Sequence, residues 1–188
     1  MATMTENPAA ILEADVPKKP AAVQKPKIVE KLPQKMAVVH AKGDPNKITS
    51  DVLSALYEAV YKLKFDLKKQ GHDFKVGAPR ACWPNALNAP RDQWVSIWGL
   101  PIPDDVTTIE PKVPGIPIKI EVWEYGTVAE IVHIGSYSEE GPSIRRLHEF
   151  IKESGYEIVG LHEEEYLTTP ATKVQKTIIR YPVRRVEG

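Results

Sequence analysis

Residues 160 to 166 hold the side chains best suited to chemistry. They read Gly-Leu-His-Glu-Glu-Glu-Tyr, and a strand is expected here. Successive residues of a strand face opposite sides, so His162, Glu164 and Tyr166 share one face and the two neighbouring glutamates share the other. Three adjacent glutamates repel one another and have poor strand propensity, so stability does not explain them. The residues alone favour a solvated edge strand; the alternative is a carboxylate retained for a ligand.

The other histidines and the single cysteine give no sign of a metal or cofactor site. Cys82 cannot form an intramolecular disulfide and is expected to be buried and inert. His40 and His133 fall at matching places in the two halves of the chain, which indicates a shared structural role, and His148 is expected at a helix interface. The sequence has no HExxH motif, Cys/His cluster, Gly-rich phosphate loop or G-x-S-x-G elbow. No cofactor and no metal are therefore expected.

The first half of the chain reads as a strand, a long amphipathic helix and two more strands. Leucines and valines at spacings of three and four mark the helix, with Thr49 or Ser50 as N-cap and Gly71 at its end. The predicted elements cover residues 35–41, 51–70, 74–83 and 93–100.

Aromatic and aliphatic residues face opposite sides of the last of these strands. Trp94 and Trp98 share one face, and Val95 and Ile97 share the other. The aliphatic pair is the more natural core face, which leaves the two tryptophans for a groove or an interface. The alternative is that the tryptophans are themselves packed core.

The second half repeats this order, with elements predicted over residues 129–134, 142–154, 156–167 and 174–181. Short segments also match between the halves in the same order: 38–40 with 131–133, 75–77 with 158–160, and 98–102 with 179–183. We therefore predict an α+β fold in which two pseudo-symmetric strand-helix-strand-strand repeats form an antiparallel sheet, with two main helices on one side. Neither repeat is long enough to bury a core alone.

Residues 1–27 differ in composition from the rest. Prolines recur there among Ala and Lys with almost no long apolar run, so a disordered tail is expected. The tail is either a solvated tether or a basic segment that docks on a partner. The folded domain is expected over residues 28–186, with repeat one at about 28–103 and repeat two at about 117–186.

The balance of charge and the hydropathy pattern argue against nucleic-acid-binding and membrane proteins. The 25 basic residues equal the 25 acidic ones in number, so no global field favours nucleic acid or an anionic membrane. No apolar stretch is long enough to span a membrane, and the N-terminus lacks the features of a secretory signal. A cytoplasmic protein with no membrane partner is the expectation.

Two motifs of the second half resemble a known family. The segment 131–137, Ile-Val-His-Ile-Gly-Ser-Tyr, precedes a helix, and the segment 164–170, Glu-Glu-Tyr-Leu-Thr-Thr-Pro, ends a strand. An HxGxY segment and a strand ending in ExYL are typical of the GyrI-like small-molecule-binding domain, which the chain resembles over roughly residues 30 to 185. The resemblance implies two repeats around a central ligand groove.

Members of that family include effector-binding domains of multidrug-responsive transcription regulators, stand-alone proteins that shield against toxins, and hydrolases of cyclopropane-containing genotoxins. Regulators of this kind carry a helix-turn-helix domain, for which there is no room before residue 30. A stand-alone protein without direct DNA binding is therefore the expectation.

The resemblance also implies which residues line the groove. The ExYL motif assigns the groove carboxylate to Glu164 and leaves the neighbouring glutamates paired or facing solvent. Tyr166, Tyr137 of the HxGxY motif, and His162 on the face of Glu164 are further candidates.

The repeat supplies the opposite wall of the groove. Counting from Gly77 as from Gly160, Ala81 takes the position of Glu164, and Trp83 takes that of Tyr166. The groove is thus expected to have one acidic and one apolar wall, with Trp83 opposite Tyr166. Trp98 is a further lining candidate, and packed core is the alternative for both tryptophans.

A carboxylate withdrawn from water selects cationic or strongly polarised ligands, and aromatic faces add cation–π attraction of roughly 0.5–2 kcal/mol each. The leading interpretation is a protein that sequesters or senses bulky, hydrophobic and in part cationic molecules such as drugs or toxins. The alternative is a hydrolase in which Glu164 activates a water for attack on a strained electrophilic ring and Tyr166 positions the leaving oxygen. A third interpretation is a protein-interaction module. The same residues serve binding and hydrolysis, so the sequence does not separate them.

Overall fold

The computed structural model describes residues 24–187, and within them the strands form an antiparallel sheet that carries two long helices. The elements in chain order are β1 (Lys27–Lys31), β2 (Gln34–Lys42), α1 (Pro45–Lys69), β3 (Arg80–Cys82), β4 (Val95–Pro101), β5 (Lys119–Trp123), β6 (Gly126–Ile134), α2 (Gly141–Glu153), β7 (Tyr156–Ile158), β8 (Glu163–Tyr166) and β9 (Lys176–Arg185). Neither of these helices has the length and apolar character needed to cross a membrane. The predicted tail lies almost entirely outside the described residues, although Lys27 already belongs to β1.

The order of strands in the sheet is symmetric. It runs β1-β6-β9-β8-β3-β4-β2-β5, with β7 beside β9. The two halves meet where β8 pairs with β3, and there Glu164 lies directly opposite Ala81. On the far side of each, Ile179 pairs with Glu164 and Trp98 pairs with Ala81. The predicted α+β fold with two pseudo-symmetric repeats is confirmed.

The two halves exchange their leading strands. β1 precedes β2 in the chain but pairs with β6, and β5 precedes β6 but pairs with β2. Each half therefore covers the sheet edge of the other, so that neither edge strand stabilises its own repeat.

α1 begins six residues earlier than the sequence predicted. The prediction of Thr49 or Ser50 as its N-cap is wrong. Asp44 is the N-cap, and its Oδ1 accepts a hydrogen bond of 3.0 Å from the backbone N–H of Asn46. Pro45 follows at the first helical position, where its fixed φ suits the helix and its missing N–H costs nothing. α2 lies within one residue of its predicted bounds.

Both helices pack on one face of the sheet, here called the inner face. α1 buries Val52, Leu56 and Val60 against a cluster that includes Val39 and Trp98. α2 buries its own stripe against the second half of the sheet, through Ile144, Leu147 and Ile151 against Ile131 and Ile179. Burial of these apolar stripes fixes the helices on the sheet. The junction of β3 and β8 lies between them.

Two predicted strands are interrupted at equivalent places. Residues 74–83 form only the short strand β3, and residues 156–167 divide into β7 and β8. At both breaks a glycine packs on a proline of the last strand of its repeat: a Cβ on Gly160 would lie 2.6 Å from Pro182 Cγ, and one on Gly77 would lie 3.3 Å from Pro101 Cγ. Because proline has no N–H to donate, the hydrogen-bond ladder cannot continue across it.

Candidate functional site

Glu164 lies at the junction of the two halves, with 5% of its surface exposed. Its Oε2 accepts a hydrogen bond of 2.5 Å from the Tyr166 hydroxyl, and its Oε1 lies 2.7 Å from Nε2 of His162. The alternation of β8 and the residue before it therefore places all three predicted side chains on the inner face, in direct contact.

A second carboxyl group, which sequence reasoning missed, lies against Glu164. Glu140 immediately precedes α2, is 1% exposed, and is close enough to Glu164 for the two carboxyl groups to affect each other's pKa. Two buried carboxylates that are both ionised repel each other, so one of them favours its protonated form. The side chain of Glu139 completes the capping box with Ser136, whereas the side chain of Glu140 is buried. Nothing in the sequence indicates which of these two adjacent glutamates is the buried one.

The two carboxyl groups differ in protonation. Burial and the charge of Glu164 raise the pKa of Glu140 well above its ordinary value, so Glu140 keeps its proton. Burial also acts to raise the pKa of Glu164, but the hydrogen bonds from His162 and Tyr166 outweigh it and hold that pKa below its ordinary value. Glu164 is thus the ionised member of the pair. Burial and the adjacent carboxylate raise the pKa of Tyr166, which stays a hydrogen-bond donor.

Five aromatic rings that contact one another are here called the aromatic cluster, and Tyr166 joins them to Glu164: Tyr137, Tyr166, Trp98, Trp83 and Trp94. The ring of Tyr166 stacks on Trp98 at a centroid distance of 5.6 Å and meets the edge of Tyr137 at 5.4 Å. Trp98 in turn meets Trp83 edge to face at 5.8 Å. Trp98 therefore lies between Trp83 and Tyr166, which do not face each other across open space as expected. With Ala81 paired to Glu164, all the predicted site residues lie together.

The burial of β4 is the reverse of the sequence prediction. Trp94, Ser96 and Trp98 are between 1% and 4% exposed, whereas Val95 and Ile97 are only partly buried. The prediction that the aliphatic pair forms the core face is wrong because α1 packs on the tryptophan side.

A line of hydrogen bonds runs from Glu164 through His162 to a second tyrosine. Nδ1 of His162 lies 2.7 Å from the hydroxyl of Tyr181, whose ring is flanked by His162 at 5.1 Å and by His148 at 4.9 Å. Tyr181 was not predicted as a site residue. It is contributed by β9, and only the pairing of β9 with β8 brings it near.

His40 and His133 do not occupy equivalent positions. Val39 pairs with Trp98 and Ile131 pairs with Ile179, so the register makes Ala41 the counterpart of His133. His40 consequently faces outward and lies 2.6 Å from Glu121. The shared role predicted from the sequence is wrong, because the structural alignment of β2 with β6 is shifted by one residue from the alignment of their sequences.

His133 faces the site and is neutral. Its Nδ1 lies 2.9 Å from Ser143 Oγ and its Nε2 lies 3.0 Å from the carbonyl oxygen of Ser136. Burial lowers its pKa.

Glu163 and Glu165 face the opposite side of the sheet, here called the outer face, and both are paired. Arg180 donates to Glu163 at 2.5 Å, to Glu165 at 2.9 Å and to Glu130 at 3.0 Å. Glu163 and Glu165 are thus paired with Arg180 on the outer face, whereas Glu164 on the inner face is bonded to His162 and Tyr166. Cys82 is half-buried, and burial raises the pKa of its thiol, which makes it unreactive.

Several buried polar atoms around the aromatic cluster have no hydrogen-bond partner within the described residues. They are the indole nitrogens of Trp83 and Trp98 and Oε1 of Glu140. Buried polar groups are ordinarily paired, so these are groups that a ligand or water can satisfy. The His, Cys, Asp and Glu side chains of residues 24–187 form no group of three or more that could hold a metal ion.

Comparison with known proteins identifies a related family and a set of related folds. A family model for the GyrI-like small-molecule-binding domain matches residues 24–184. No curated protein matches the chain significantly in sequence.

Solved structures share the fold over most of their length. The crystal structure of a hydrolase from Listeria innocua is similar with a TM-score of 0.72 and 24% identity, over 87% of this chain and 94% of that one. An uncharacterized conserved protein from the same organism gives a TM-score of 0.75 at 24% identity, over 85% of this chain and 92% of that one. The C-terminal domain of EcmrR gives 0.59 at 11% identity, over 87% of this chain and 99% of that one.

Proposed function

The chain belongs to the GyrI-like small-molecule-binding domain family, and on that premise we propose that it binds bulky, hydrophobic organic cations at Glu164, in order to sequester or sense them. The observation that carries this proposal is a single ionised carboxylate, 5% exposed, that accepts a hydrogen bond from a tyrosine of the aromatic cluster. An ionised group is costly to bury, and it is retained where an opposite charge compensates it.

The aromatic cluster favours a ligand that is flat and apolar. The ring of Tyr166, whose hydroxyl donates to Glu164, stacks on Trp98, and the face of an aromatic ring attracts a cation. The unpartnered indole N–H groups of Trp83 and Trp98 can donate to an acceptor atom on the same ligand.

Tyr137 marks the route into the site. It is the half-buried ring of the cluster and lies on a short 3₁₀ turn, Tyr137–Glu139, rather than on the sheet. A ligand that displaces this ring meets Tyr166 and then Glu164, without rearrangement of the strands.

One observation favours a second candidate function, the hydrolysis of an electrophilic ring. Paired carboxyl groups that differ in protonation are the arrangement for general acid–base work. Glu164 would take a proton from the water that attacks a ring carbon, and Glu140 would protonate the acceptor atom that receives the electron pair of the broken ring bond. Binding requires only the charge of Glu164, whereas hydrolysis requires both groups and a water between them and the substrate.

One experiment separates the two functions. The protein is incubated with a panel of hydrophobic cations and with a cyclopropane-containing alkylator, while tryptophan fluorescence and product formation are followed. We expect quenching by the cations, weakened in Glu164→Gln, and no turnover of the alkylator.

The control is Glu58→Gln, which removes an exposed carboxylate from the middle of α1. Turnover that is lost in Glu164→Gln and retained in Glu58→Gln would establish the hydrolase instead. Quenching that is unchanged in Glu164→Gln would refute the assignment of the site.

A further inference from the structure

His162 lies between the carboxylate of the site and a tyrosine hydroxyl. Its side chain is 9% exposed, its Nε2 is 2.7 Å from Glu164 Oε1, and its Nδ1 is 2.7 Å from the oxygen of Tyr181. Each ring nitrogen thus has an oxygen partner that can accept a hydrogen bond. The imidazolium form, which donates from both nitrogens, fits this position without any change of geometry.

Within residues 24–187, His162 is the side chain that can form an ion pair with Glu164, on condition that its ring carries a second proton. The buried arginine nearest in sequence, Arg180, belongs to the outer face and is engaged by three other carboxylates. A carboxylate as buried as Glu164 needs a compensating charge. The residue that is placed to supply this positive charge is His162, through its imidazole ring.

Resting on the proposed function, we propose that His162 is the imidazolium counter-ion of Glu164 in the empty site, and that an organic cation binds in exchange for the proton of His162. The site is then neutral before binding and neutral after it. The proton leaves Nδ1 for solvent, Nε2–H continues to donate to Glu164, and the hydroxyl of Tyr181 turns to donate to Nδ1.

The other titratable groups around His162 do not take over this role. Burial and the neighbouring His162 lower the pKa of His148, on α2. Burial lowers the pKa of His133, on β6, and raises that of Tyr181, on β9. Glu140, at the start of α2, keeps its proton on account of burial and of the charge of Glu164.

Another neighbour is Tyr166 of β8, which stays neutral for the same two reasons. Burial and the neighbouring Glu140 and Glu164 also raise the pKa of Tyr137, on the turn before α2. These shifts all favour the neutral form of the surrounding groups, which leaves His162 as the residue that exchanges the proton. A cation that enters the site changes the charge of that one residue.

Isothermal titration with tetraphenylphosphonium tests the exchange, since the charge of this probe does not titrate. Binding is measured near pH 6 in phosphate and in Bis-Tris, which both buffer there and differ in ionisation enthalpy. We expect the release of about one proton per cation bound, and a Kd that weakens by up to about tenfold for each pH unit on the acid side. Triphenylphosphine oxide, a neutral analogue, should release no proton.

The variant that isolates the residue is His162→Gln, which keeps a donor toward Glu164 but cannot titrate. Its phosphonium Kd should not depend on pH between 5.5 and 8, roughly the range in which an imidazole titrates, and its binding should release no proton. If this variant fails to fold, the buffer comparison on the wild-type protein decides the matter alone.

The outcomes separate this inference from the proposed function. If the wild-type protein binds the cation no better than Glu164→Gln does, the proposed function fails. If binding depends on Glu164 but releases no proton in either buffer, the proposed function stands and the exchange at His162 is overturned.

Discussion

At the scale of single residues, the site consists of one charge and the groups that hold it. Glu164 accepts from Tyr166 and His162, and burial together with its charge raises the pKa of the neighbouring Glu140, which stays protonated. Each donor lowers the free energy of the ionised state in surroundings that would otherwise oppose it.

Glu140→Gln tests the protonation state of the second carboxyl group. The folded protein keeps the proton of Glu140 while the unfolded chain loses it above about pH 4.3, so this residue costs stability as pH rises. Glutamine is neutral in both states. The variant should therefore gain free energy of unfolding over the wild type by about 1.4 kcal/mol per pH unit above that value, until the pKa of folded Glu140 is reached.

Urea denaturation between pH 4 and pH 8 measures this difference. Glu58→Gln, an exposed change on α1, should show no comparable trend. A constant or shrinking advantage of Glu140→Gln with rising pH would mean that Glu140 is ionised in the folded protein.

Sequence reasoning reached part of this site. The period of two along a strand placed His162, Glu164 and Tyr166 on one face, because strand geometry depends on nothing beyond the local chain. Glu140 and Tyr181 come from other elements, and only the packing of α2 and β9 against β8 brings them in. A pattern within one segment does not carry that information.

At the scale of elements, the two glycine–proline contacts decide where strands stop. Gly160 lies flat against Pro182, and Gly77 lies against Pro101 with more room. The sequence match of residues 75–77 with 158–160, and of 98–102 with 179–183, had already predicted that the two contacts are equivalent. The exchanged strands β1 and β5 were not anticipated, since a short strand is defined by its partner and both partners lie in the other half.

Gly160→Ala should destabilise the protein more than Gly77→Ala. The added Cβ would lie 2.6 Å from Pro182 Cγ in the first case and 3.3 Å from Pro101 Cγ in the second. A rigid ring cannot move aside, so we expect a loss of about 1–3 kcal/mol for Gly160→Ala and a smaller one for Gly77→Ala. Thermal or urea unfolding of the two variants compares them, and an equal loss would contradict the packing described.

At the scale of the whole molecule, a buried ionic network closes the outer face behind the site. Arg180 of β9 binds carboxylates of both β6 and β8, and its pKa is raised because the three carboxylates outweigh its burial. Arg80 of β3 continues the network across the junction, with its Nε 3.6 Å from Glu165 and its guanidinium donating to Tyr125 at 2.6 Å. The network thereby links the two halves of the sheet.

Removal of Arg180 should loosen that link. Arg180→Met removes the cation that three carboxylates share, two of which, Glu130 and Glu163, are buried, so we expect a loss of about 3–5 kcal/mol in the free energy of unfolding. The matched control is Arg184→Met on the same strand, whose side chain is 70% exposed and pairs with Glu157. That variant should change stability by about 0.5 kcal/mol or less; similar losses in both would refute a special role for the buried network.

The central claim is that the charge of Glu164 binds the charge of a ligand, and a cycle of two proteins and two ligands measures it. Wild type and Glu164→Gln are each titrated with tetraphenylphosphonium and with neutral triphenylphosphine oxide. We predict that the substitution weakens phosphonium binding by about tenfold or more, equivalent to about 1.4 kcal/mol, and leaves binding of the oxide nearly unchanged. Equal weakening of both ligands, or of neither, would contradict the account.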